Sequence, residues 1–181
     1  MDFKFDGRVI GEPVDDGTPA AAYYDNDEDT YGVNGNKYGL LYNEYAVHEL
    51  VERKSELTPG WHVPTSAEWQ ELIHEVGCEV IEEYEGTGDY EDAGAKLKST
   101  TGWVTGNGDG DYGFEAFPAG NIVHWSNERF ECGGIGEETL IWSSTLDGSG
   151  SSLISCNLDE SSDVYVSINY HGIASIRLIK D

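Results

Sequence analysis

The stretch 59–69 constrains the fold more than any other part of the sequence. Pro59-Gly60 is a typical turn sequence. Trp61-His62-Val63 alternates large and polar side chains as a half-buried strand does. Pro64 ends this strand because proline has no N–H to donate to a neighbouring strand. A turn followed by a short strand is therefore predicted here.

A helix is predicted directly after this strand, over residues 66–76. Thr65 is the predicted N-cap, and Glu68 three positions later completes a capping box. Gly77 ends the helix. Apolar side chains recur at helical spacing and give the helix one buried face: Trp69, Leu72, Ile73 and Val76.

Further motifs follow along the chain in a distinctive order. They read GAKLKSTTGW at 94–103, YGFEAFPAG at 112–120, WSST at 142–145 and GIASIRLIKD at 172–181, and upstream lie DGTP at 16–19 and YGLLYNEYAV at 38–47. In this order and spacing the chain resembles, from about residue 16 to 181, the bacterial family called the Fibrobacter succinogenes major paralogous domain. Two positions depart from the family pattern. Glu44 replaces a tryptophan, and Leu178 replaces a cysteine, so no role of that thiol is carried over.

The resemblance implies an α+β, C-type-lectin-like fold of the formylglycine-generating-enzyme subtype. Such a domain has short twisted antiparallel sheets, about two helices and long loops. At 181 residues one domain is expected, with residues 1–15 as a possible N-terminal arm that includes a hairpin at 3–10. The other predicted elements are a strand at 20–24, a segment at 42–57 that turns helical near 47, an acidic loop at 79–92, and strands at 114–117, 120–125, 140–144, 153–158, 164–168 and 173–179.

The charge balance excludes some partners. With 35 Asp and Glu against 10 Lys and Arg, the formal net charge is −25. Nucleic acids and anionic membranes would repel such a chain, so no nucleic-acid partner and no membrane insertion are expected. A solvated acidic surface, adaptation to high salt and an acidic site for cationic ligands all remain open.

The three cysteines, Cys78, Cys132 and Cys156, form no CxxC pair, so neither a disulfide framework nor a zinc site is indicated. No apolar segment follows Met1, and no signal peptide is predicted. Because family members are often exported, the resemblance implies a cell-surface, secreted or virion location.

The sequence offers two candidate chemistries. The oxygen-bearing residues Asn107, Asp109 and Asp111 alternate as in calcium loops, and the resemblance implies a fold subtype that often holds calcium, so a structural calcium ion is predicted here and no other cofactor is required. Related enzymes use paired cysteines, but Cys132 and Cys156 lie among acidic and neutral residues that do not favour a thiolate. The chain is therefore predicted not to be an enzyme.

The C-terminal third carries the predicted binding surface. Its short strands alternate apolar residues with small polar or aromatic ones, a palette that suits recognition. The four tryptophans at 61, 69, 103 and 142 are assigned to the core. The candidate ligand-binding residues are Asn121, His124, Trp125, Asn127, Asp147, Ser149, Ser151, Ser155, Asn157, Asp159, Tyr165, Ser167, Asn169, Tyr170 and His171.

The resemblance also suggests how this surface could arise. Domains of this fold subtype serve as variable proteins of diversity-generating retroelements, in which adenine-rich codons of a C-terminal repeat are randomised. Residues 147–171 are rich in Ser, Asp, Tyr, His and Gly, which are residue types that such randomised codons encode. We therefore expect a non-enzymatic, receptor-like or adhesin-like binder of a protein or peptide, with basic ones favoured by its acidity, or of a glycan. The alternative is a structural cell-surface or virion protein with a salt-adapted acidic surface.

Overall fold

A computed structural model describes residues 17–31, 38–84, 86–125, 129–169 and 172–181. Over these ranges the chain is α+β, with a large mixed sheet, two small ones and five helices. The helices are α1 (Glu28–Tyr31), α2 (Glu44–Glu52), α3 (Lys54–Leu57), α4 (Ser66–Glu75) and α5 (Ala93–Leu97). A 3₁₀ turn at Tyr24–Asn26 precedes α1. The predicted arm and its hairpin at 3–10 lie outside the described residues.

The strands are short, with at most eight residues each. They are β1 (Ala21–Ala22), β2 (Leu41–Tyr42), β3 (Trp61–His62), β4 (Glu79–Tyr84), β5 (Thr87–Glu91), β6 (Ala119–Trp125), β7 (Arg129–Ile135), β8 (Thr139–Leu146), β9 (Leu153–Leu158), β10 (Val164–Ile168), β11 (Gly172–Ile173) and β12 (Ile179–Lys180). The large sheet has the order β11-β6-β8-β9-β10-β5-β4, with β7 also paired to β6. Its pairs are antiparallel except β6 with β8. β1 pairs with β2 and β3 with β12.

The centre of the large sheet separates two apolar cores. Ile141 of β8 packs with the residues of β9, β10, α4 and α5. The next residue, Trp142, points to the other face and packs with α2 and β2, as the alternation of side chains along a strand requires. A third cluster joins Tyr24, Leu41 and Ile122 near β6. Both faces of β8 are therefore buried.

The helix start predicted at Thr65 is confirmed. The Thr65 hydroxyl accepts from the Glu68 N–H at 3.2 Å, and the Glu68 carboxylate accepts from the Thr65 N–H at 2.8 Å. α4 ends at Glu75, with Val76 as its C-cap. The strands predicted at 153–158 and 164–168 are confirmed with the same bounds, and those at 120–125 and 140–144 are slightly longer than predicted.

The segment 79–92 is not the predicted loop. It forms the hairpin β4–β5, which continues the large sheet beside β10. Tyr90 is fully buried in the core between this hairpin and α4, and its hydroxyl donates to the Glu83 carboxylate at 2.8 Å. Burial of this ring stabilises the hairpin although half of the residues of β4 are glutamates.

Three predicted strands need correction. The strand predicted at 114–117 is reduced to a single bridge between Ala116 and Lys98. The strand predicted at 173–179 is broken, because Ala174 and Ser175 leave β6 and bridge Tyr42 and Ile141 instead. The strand predicted at 20–24 stops at Ala22, before the 3₁₀ turn. Helices α1 and α5 and strand β7 were not predicted, and the described ranges contain five helices where about two were expected.

Trp61 is not a core residue. Its side chain is 44% exposed, whereas Trp69, Trp103 and Trp142 are buried as predicted. Among the described residues, β3 pairs only with the two-residue strand β12 and is not part of the large sheet. Position within a short peripheral sheet thus decides the exposure of Trp61.

His62, next to Trp61, connects three parts of the chain. Its Nδ1 lies 2.7 Å from Asp181 Oδ1 and its Nε2 lies 2.9 Å from Glu68 Oε1. Burial alone would lower the pKa of His62, but the hydrogen bonds to Glu68 and Asp181 outweigh it and raise that pKa. The protonated imidazole therefore ties the C-terminal strand to the start of α4.

The raised pKa of His62 predicts a pH-dependent contribution to stability. A raised folded-state pKa stabilises fully below about pH 6.5, and the effect is lost as the pH rises through the folded value. His62→Asn should therefore lower the urea midpoint of unfolding more at about pH 6 than at about pH 9. His48→Asn on α2 is the matched control, and an equal loss at both pH values would contradict the charged contact.

Candidate functional site

Strands β10 and β5 alternate buried residues with more exposed ones, and β9 and β4 extend the sheet on either side of them. The cross-strand partners Cys156 and Val166 belong to the core under α4. The alternate partners Asn157, Tyr165 and Asp89 are aligned across β9, β10 and β5 on the opposite face and are each partly exposed. Partners in register share a face, so this second face is polar and open.

We define the open face as seven residues that follow this register. Four strands contribute, and the charged members are carboxylates. The open face consists of Glu82, Tyr84, Thr87, Asp89, Asn157, Tyr165 and Ser167.

A hydrogen-bond chain orders the β9–β10 half of the open face. Ser155 Oγ lies 2.6 Å from Asn157 Oδ1, and Asn157 Nδ2 donates to Ser167 Oγ at 2.6 Å. Ser155 lies on the same side of β9 as Asn157 and opposite Ser167, but it is fully buried, and it ends the chain. The amide of Asn157 is therefore oriented before any ligand arrives, which lowers the entropy lost on binding.

The β5–β4 half of the open face is held by α4. On the buried side, Glu83 Oε1 lies 2.9 Å from His74 Nε2 and accepts from Tyr90. Gln70 Nε2 donates to the Thr87 carbonyl at 3.2 Å. Tyr84 on the open side is 69% exposed. The hairpin thus presents an aromatic ring and two carboxylates from a backbone that the helix fixes.

Sequence reasoning missed this half of the open face. Four of its members, Glu82, Tyr84, Thr87 and Asp89, lie in the segment that was predicted to be a loop. The signal that could have found them is the alternation of Thr87, Asp89 and Glu91 with Gly88 and Tyr90, after a glycine turn at Gly86.

Three predicted ligand contacts lie instead in the turn between β8 and β9. The Asp147 carboxylate accepts from the Ser149 hydroxyl and from the N–H groups of Ser151 and Ser152. The Ser149 hydrogen bond, followed by those of the backbone, lowers the pKa of Asp147 to about 2. In the described conformation this carboxylate closes its own turn. Asp159, in the next loop, accepts likewise from the Ser161 N–H at 2.8 Å.

Three further predicted contacts are buried rather than displayed: Asn121, Asn169 and Ser155. Asn121 Nδ2 donates to Glu138 Oε1 at 2.6 Å. Burial raises the pKa of Glu138, partly opposed by this hydrogen bond. Asn169 Oδ1 accepts from the Gly172 N–H at 2.7 Å. These side chains make hydrogen bonds within the fold, and the structure removes them from the exposed set.

The remaining predicted contacts fall where little is described. The side chains of His124 and Trp125, at the end of β6, are not described, and Asn127, Tyr170 and His171 lie outside the described residues. Of the fifteen predicted ligand-binding residues, the structure brings Asn157, Tyr165 and Ser167 together on the open face, with the buried Ser155 beside them.

The predicted calcium ligands lie in a loop that uses their oxygens internally. Asn107 Oδ1 accepts from the Trp103 N–H at 3.1 Å, and Asp109 Oδ1 accepts from the Asp111 N–H at 3.0 Å. Within the described ranges, no group of three or more His, Cys, Asp or Glu residues is placed to hold a metal ion. Calcium binding stays a prediction that rests on the sequence pattern.

The cysteines lie in separate surroundings. Cys156 is fully buried in the core under α4, and burial raises its pKa. Cys132 lies in the cluster near β6 and accepts from the Asp25 N–H at 3.4 Å. Burial raises the pKa of Cys132 as well, so both thiols are protonated at neutral pH.

These observations define an α+β domain that displays a polar and aromatic sheet face. A family model described as the Fibrobacter succinogenes major domain matches residues 4–180. The chain therefore belongs to this family, as its motifs indicated. Neither the comparison with curated proteins nor that with solved structures gave a match. In the described part of the chain, no helix has the length and apolar character needed to cross a membrane.

Proposed function

We propose that this protein is a non-enzymatic binding protein whose recognition surface is the open face. The observation that carries the proposal is the pairing of Tyr165 with Asn157 and Asp89 above a complete apolar core. Tyrosine gives a large contact area at low entropy cost, and asparagine and serine give adaptable hydrogen bonds. The core below is closed without them, so these side chains are available for binding.

The ligand class follows from the charges on the open face. Asp89 and Glu82 are cross-strand partners, and the face contains no lysine or arginine. Tyr84 and Tyr165 flank these carboxylates and offer faces for cation–π contact. A protein or peptide with lysine or arginine side chains complements this surface better than an anionic glycan does.

The binding experiment uses a displayed library of random twelve-residue peptides at physiological salt. We expect the selected peptides to be enriched in arginine and lysine, because the open face carries only negative charge. The double variant Tyr84→Ala/Tyr165→Ala should lose their binding by about tenfold or more. Tyr112→Ala is the matched control, because it removes an exposed tyrosine from the loop between α5 and β6.

Two results of this selection would contradict the proposal. One is a set of peptides without basic enrichment. The other is a set that binds the double variant and the unaltered protein equally well.

We further propose that the fold is the C-type-lectin-like fold of the formylglycine-generating-enzyme subtype and that the protein is a variable protein of a diversity-generating retroelement. The arrangement of β9 and β10 supports this. Alternate residues, Asn157, Tyr165 and Ser167, are open and can change while Cys156 and Val166 keep the core closed. Such a protein would act as a receptor or adhesin at a cell surface, in secretion or on a virion.

Deep sequencing of this gene across a growing host population tests the diversification. Substitutions should fall at adenine-rich codons between residues 121 and 175, with Asn157 among them. Codons of the buried residues Cys156, Val164 and Val166 should stay fixed, because large changes in a packed core cost about 2–5 kcal/mol. An invariant tract would remove the retroelement hypothesis and leave a dedicated binder.

A second candidate function, a structural surface or virion protein adapted to high salt, is favoured by one observation. Glu82 and Asp89 lie directly opposite each other on the hairpin. Like charges in this position destabilise a strand pair, and salt screens the repulsion.

A salt titration of stability distinguishes the two candidates. A salt-adapted protein should unfold at markedly lower urea in dilute buffer than in about 1 M salt, where screening is strong. Glu82→Lys should reduce that dependence, with Glu52→Lys at the exposed end of α2 as the control for net charge. A urea midpoint that does not change with salt would contradict the structural candidate.

A further inference from the structure

A cleft between α4 and the C-terminal segment 177–180 shares no lining residue with the open face. Its volume is about 520 Å³, which lies within the usual range for small-ligand sites. Leu72, Phe114 and Ile179 give it an apolar surface. Phe114 packs edge to face against the buried Trp69, with 5.9 Å between the ring centroids. This site, which we call the α4 cleft, therefore offers an apolar surface backed by the core.

Charged side chains of both signs also line the α4 cleft. α4 contributes Glu68, Glu71 and Glu75, and the C-terminal segment contributes Arg177 and Lys180. Among the ion pairs found in the described ranges, none joins one of these cations to one of these glutamates. The two kinds of charge therefore line the same cleft without neutralising each other.

Arg177 and Lys180 differ from the other cations of the chain. Of the lysine and arginine side chains that the structure describes, these two alone have neither a hydrogen bond nor an ion pair. The others bind carboxylates or backbone carbonyls: Arg53, Lys54, Lys96 and Lys98. In a chain with 35 acidic and 10 basic residues, two unpaired cations in one cleft indicate a place for a negatively charged group of a ligand.

The contact that Arg177 does make leaves its N–H groups available. Its guanidinium lies over the Phe114 ring, with Cζ 3.9 Å from the ring centroid. The N–H groups of a guanidinium lie in its plane, so stacking on a ring leaves them free to bind a carboxylate through two parallel hydrogen bonds. Arg177 can therefore bind a ligand from the position that it already occupies.

The glutamates of the α4 cleft are not equivalent. Glu68 accepts from the Thr65 N–H at 2.8 Å and lies 2.9 Å from His62 Nε2, so it is engaged within the fold. Glu71 and Glu75 are exposed, lie about one helical turn apart, and have no hydrogen bond or ion pair within the described part of the chain. These two carboxylates are therefore available to a positively charged group of a ligand.

We propose that the α4 cleft binds a small zwitterion with an apolar body, such as an apolar amino acid or a short apolar peptide. Arg177 binds the carboxylate of this ligand, and Glu71 and Glu75 bind its ammonium group. The apolar part packs on Leu72 and Phe114. Because a zwitterion has no net charge, the net charge of −25 does not oppose its approach as it opposes that of a nucleotide.

The experiment compares leucine with two derivatives that each lack one charge. N-acetyl-leucine has no ammonium group, and leucinamide has no carboxylate. The protein is labelled with 4-fluorophenylalanine, and the Phe114 resonance is assigned with Phe114→Leu. We expect leucine to shift the Phe114 resonance and to bind at least about tenfold more tightly than either derivative, because each derivative loses a charge-assisted pair. A derivative that binds as tightly as leucine would overturn the proposal.

A dipeptide distinguishes the two sources of such a zwitterion. Leu-Leu carries the same two charges and separates them by one further residue. Tighter binding of leucine would identify a free amino acid as the ligand. Tighter binding of Leu-Leu, lost in its N-acetylated and amidated forms, would identify a short peptide. No shift of the Phe114 resonance with either probe would overturn the proposal.

Arg177→Gln tests the carboxylate end of the site. It should weaken leucine binding at least about tenfold and leave leucinamide binding unchanged, because leucinamide has no carboxylate to lose. Arg53→Gln, which removes the same charge outside the cleft, is the matched control. Equal losses in the two variants would show a general charge effect and contradict the site. The comparison of probes on the unaltered protein holds even if Arg177→Gln fails to fold.

Glu71→Gln/Glu75→Gln tests the ammonium end. It should weaken leucine binding and leave N-acetyl-leucine binding unchanged, whereas Glu52→Gln/Glu137→Gln, which removes two exposed carboxylates elsewhere, should change neither. A loss for N-acetyl-leucine as large as that for leucine would contradict the assignment. The open-face variant Tyr84→Ala/Tyr165→Ala should not change any of these results, so the α4 cleft and the open face can fail independently.

Discussion

The position of Trp142 determines much of the rest of the structure. The indole is buried, and its Nε1–H donates to the Tyr42 carbonyl at 2.7 Å. Its backbone N–H donates to the Ser175 carbonyl at 2.9 Å, and its carbonyl accepts from the Trp69 indole at 3.4 Å. One residue of β8 thus links β2, the C-terminal segment and α4. Segments far apart in sequence meet at this point.

The buried faces of β8 explain where the open face can occur. α2 and β2 cover the Trp142 side of β8, while the core under α4 covers the Ile141 side. Farther along the sheet the first cover ends, and the register continues through Asn157, Tyr165 and Asp89 without it. Polar side chains on the uncovered side of these strands are not buried, so they cost no desolvation free energy. The open face therefore lies where no core covers the sheet.

The surroundings of Lys98 show that some of the acidic residues of this chain have a structural role. It is almost fully buried, its Nζ donates to the Ser161 carbonyl, and it lies 4.6 Å from the centroid of the Trp103 ring. Burial lowers the pKa of Lys98, while the nearby carboxylates of Asp159, Asp163 and Glu160 oppose this effect. Some acids of the β9–β10 loop therefore balance a buried cation, and Asp159 has a role there without any ligand.

The sequence predicted those elements whose signals are local. The Thr65 capping box and the alternation in 153–158 depend on residues a few positions apart, and both are present. The β4–β5 hairpin and the exposure of Trp61 depend on partners far away: β10 and α4 for the hairpin, and the two-strand sheet with β12 for Trp61. The high charge of 79–92 resembled a loop because burial of Tyr90 against α4 could not be read from neighbouring residues.

The proposed diversification would divide the open face into residues that can vary and residues that stay constant. Asn157, Tyr165 and Ser167 lie in the C-terminal stretch where diversification is proposed, whereas Glu82, Tyr84, Thr87 and Asp89 lie before it. A diversified protein would therefore change one half of the open face and keep the acidic half constant. Every variant would retain the preference for basic ligands, and the varied half would select among them.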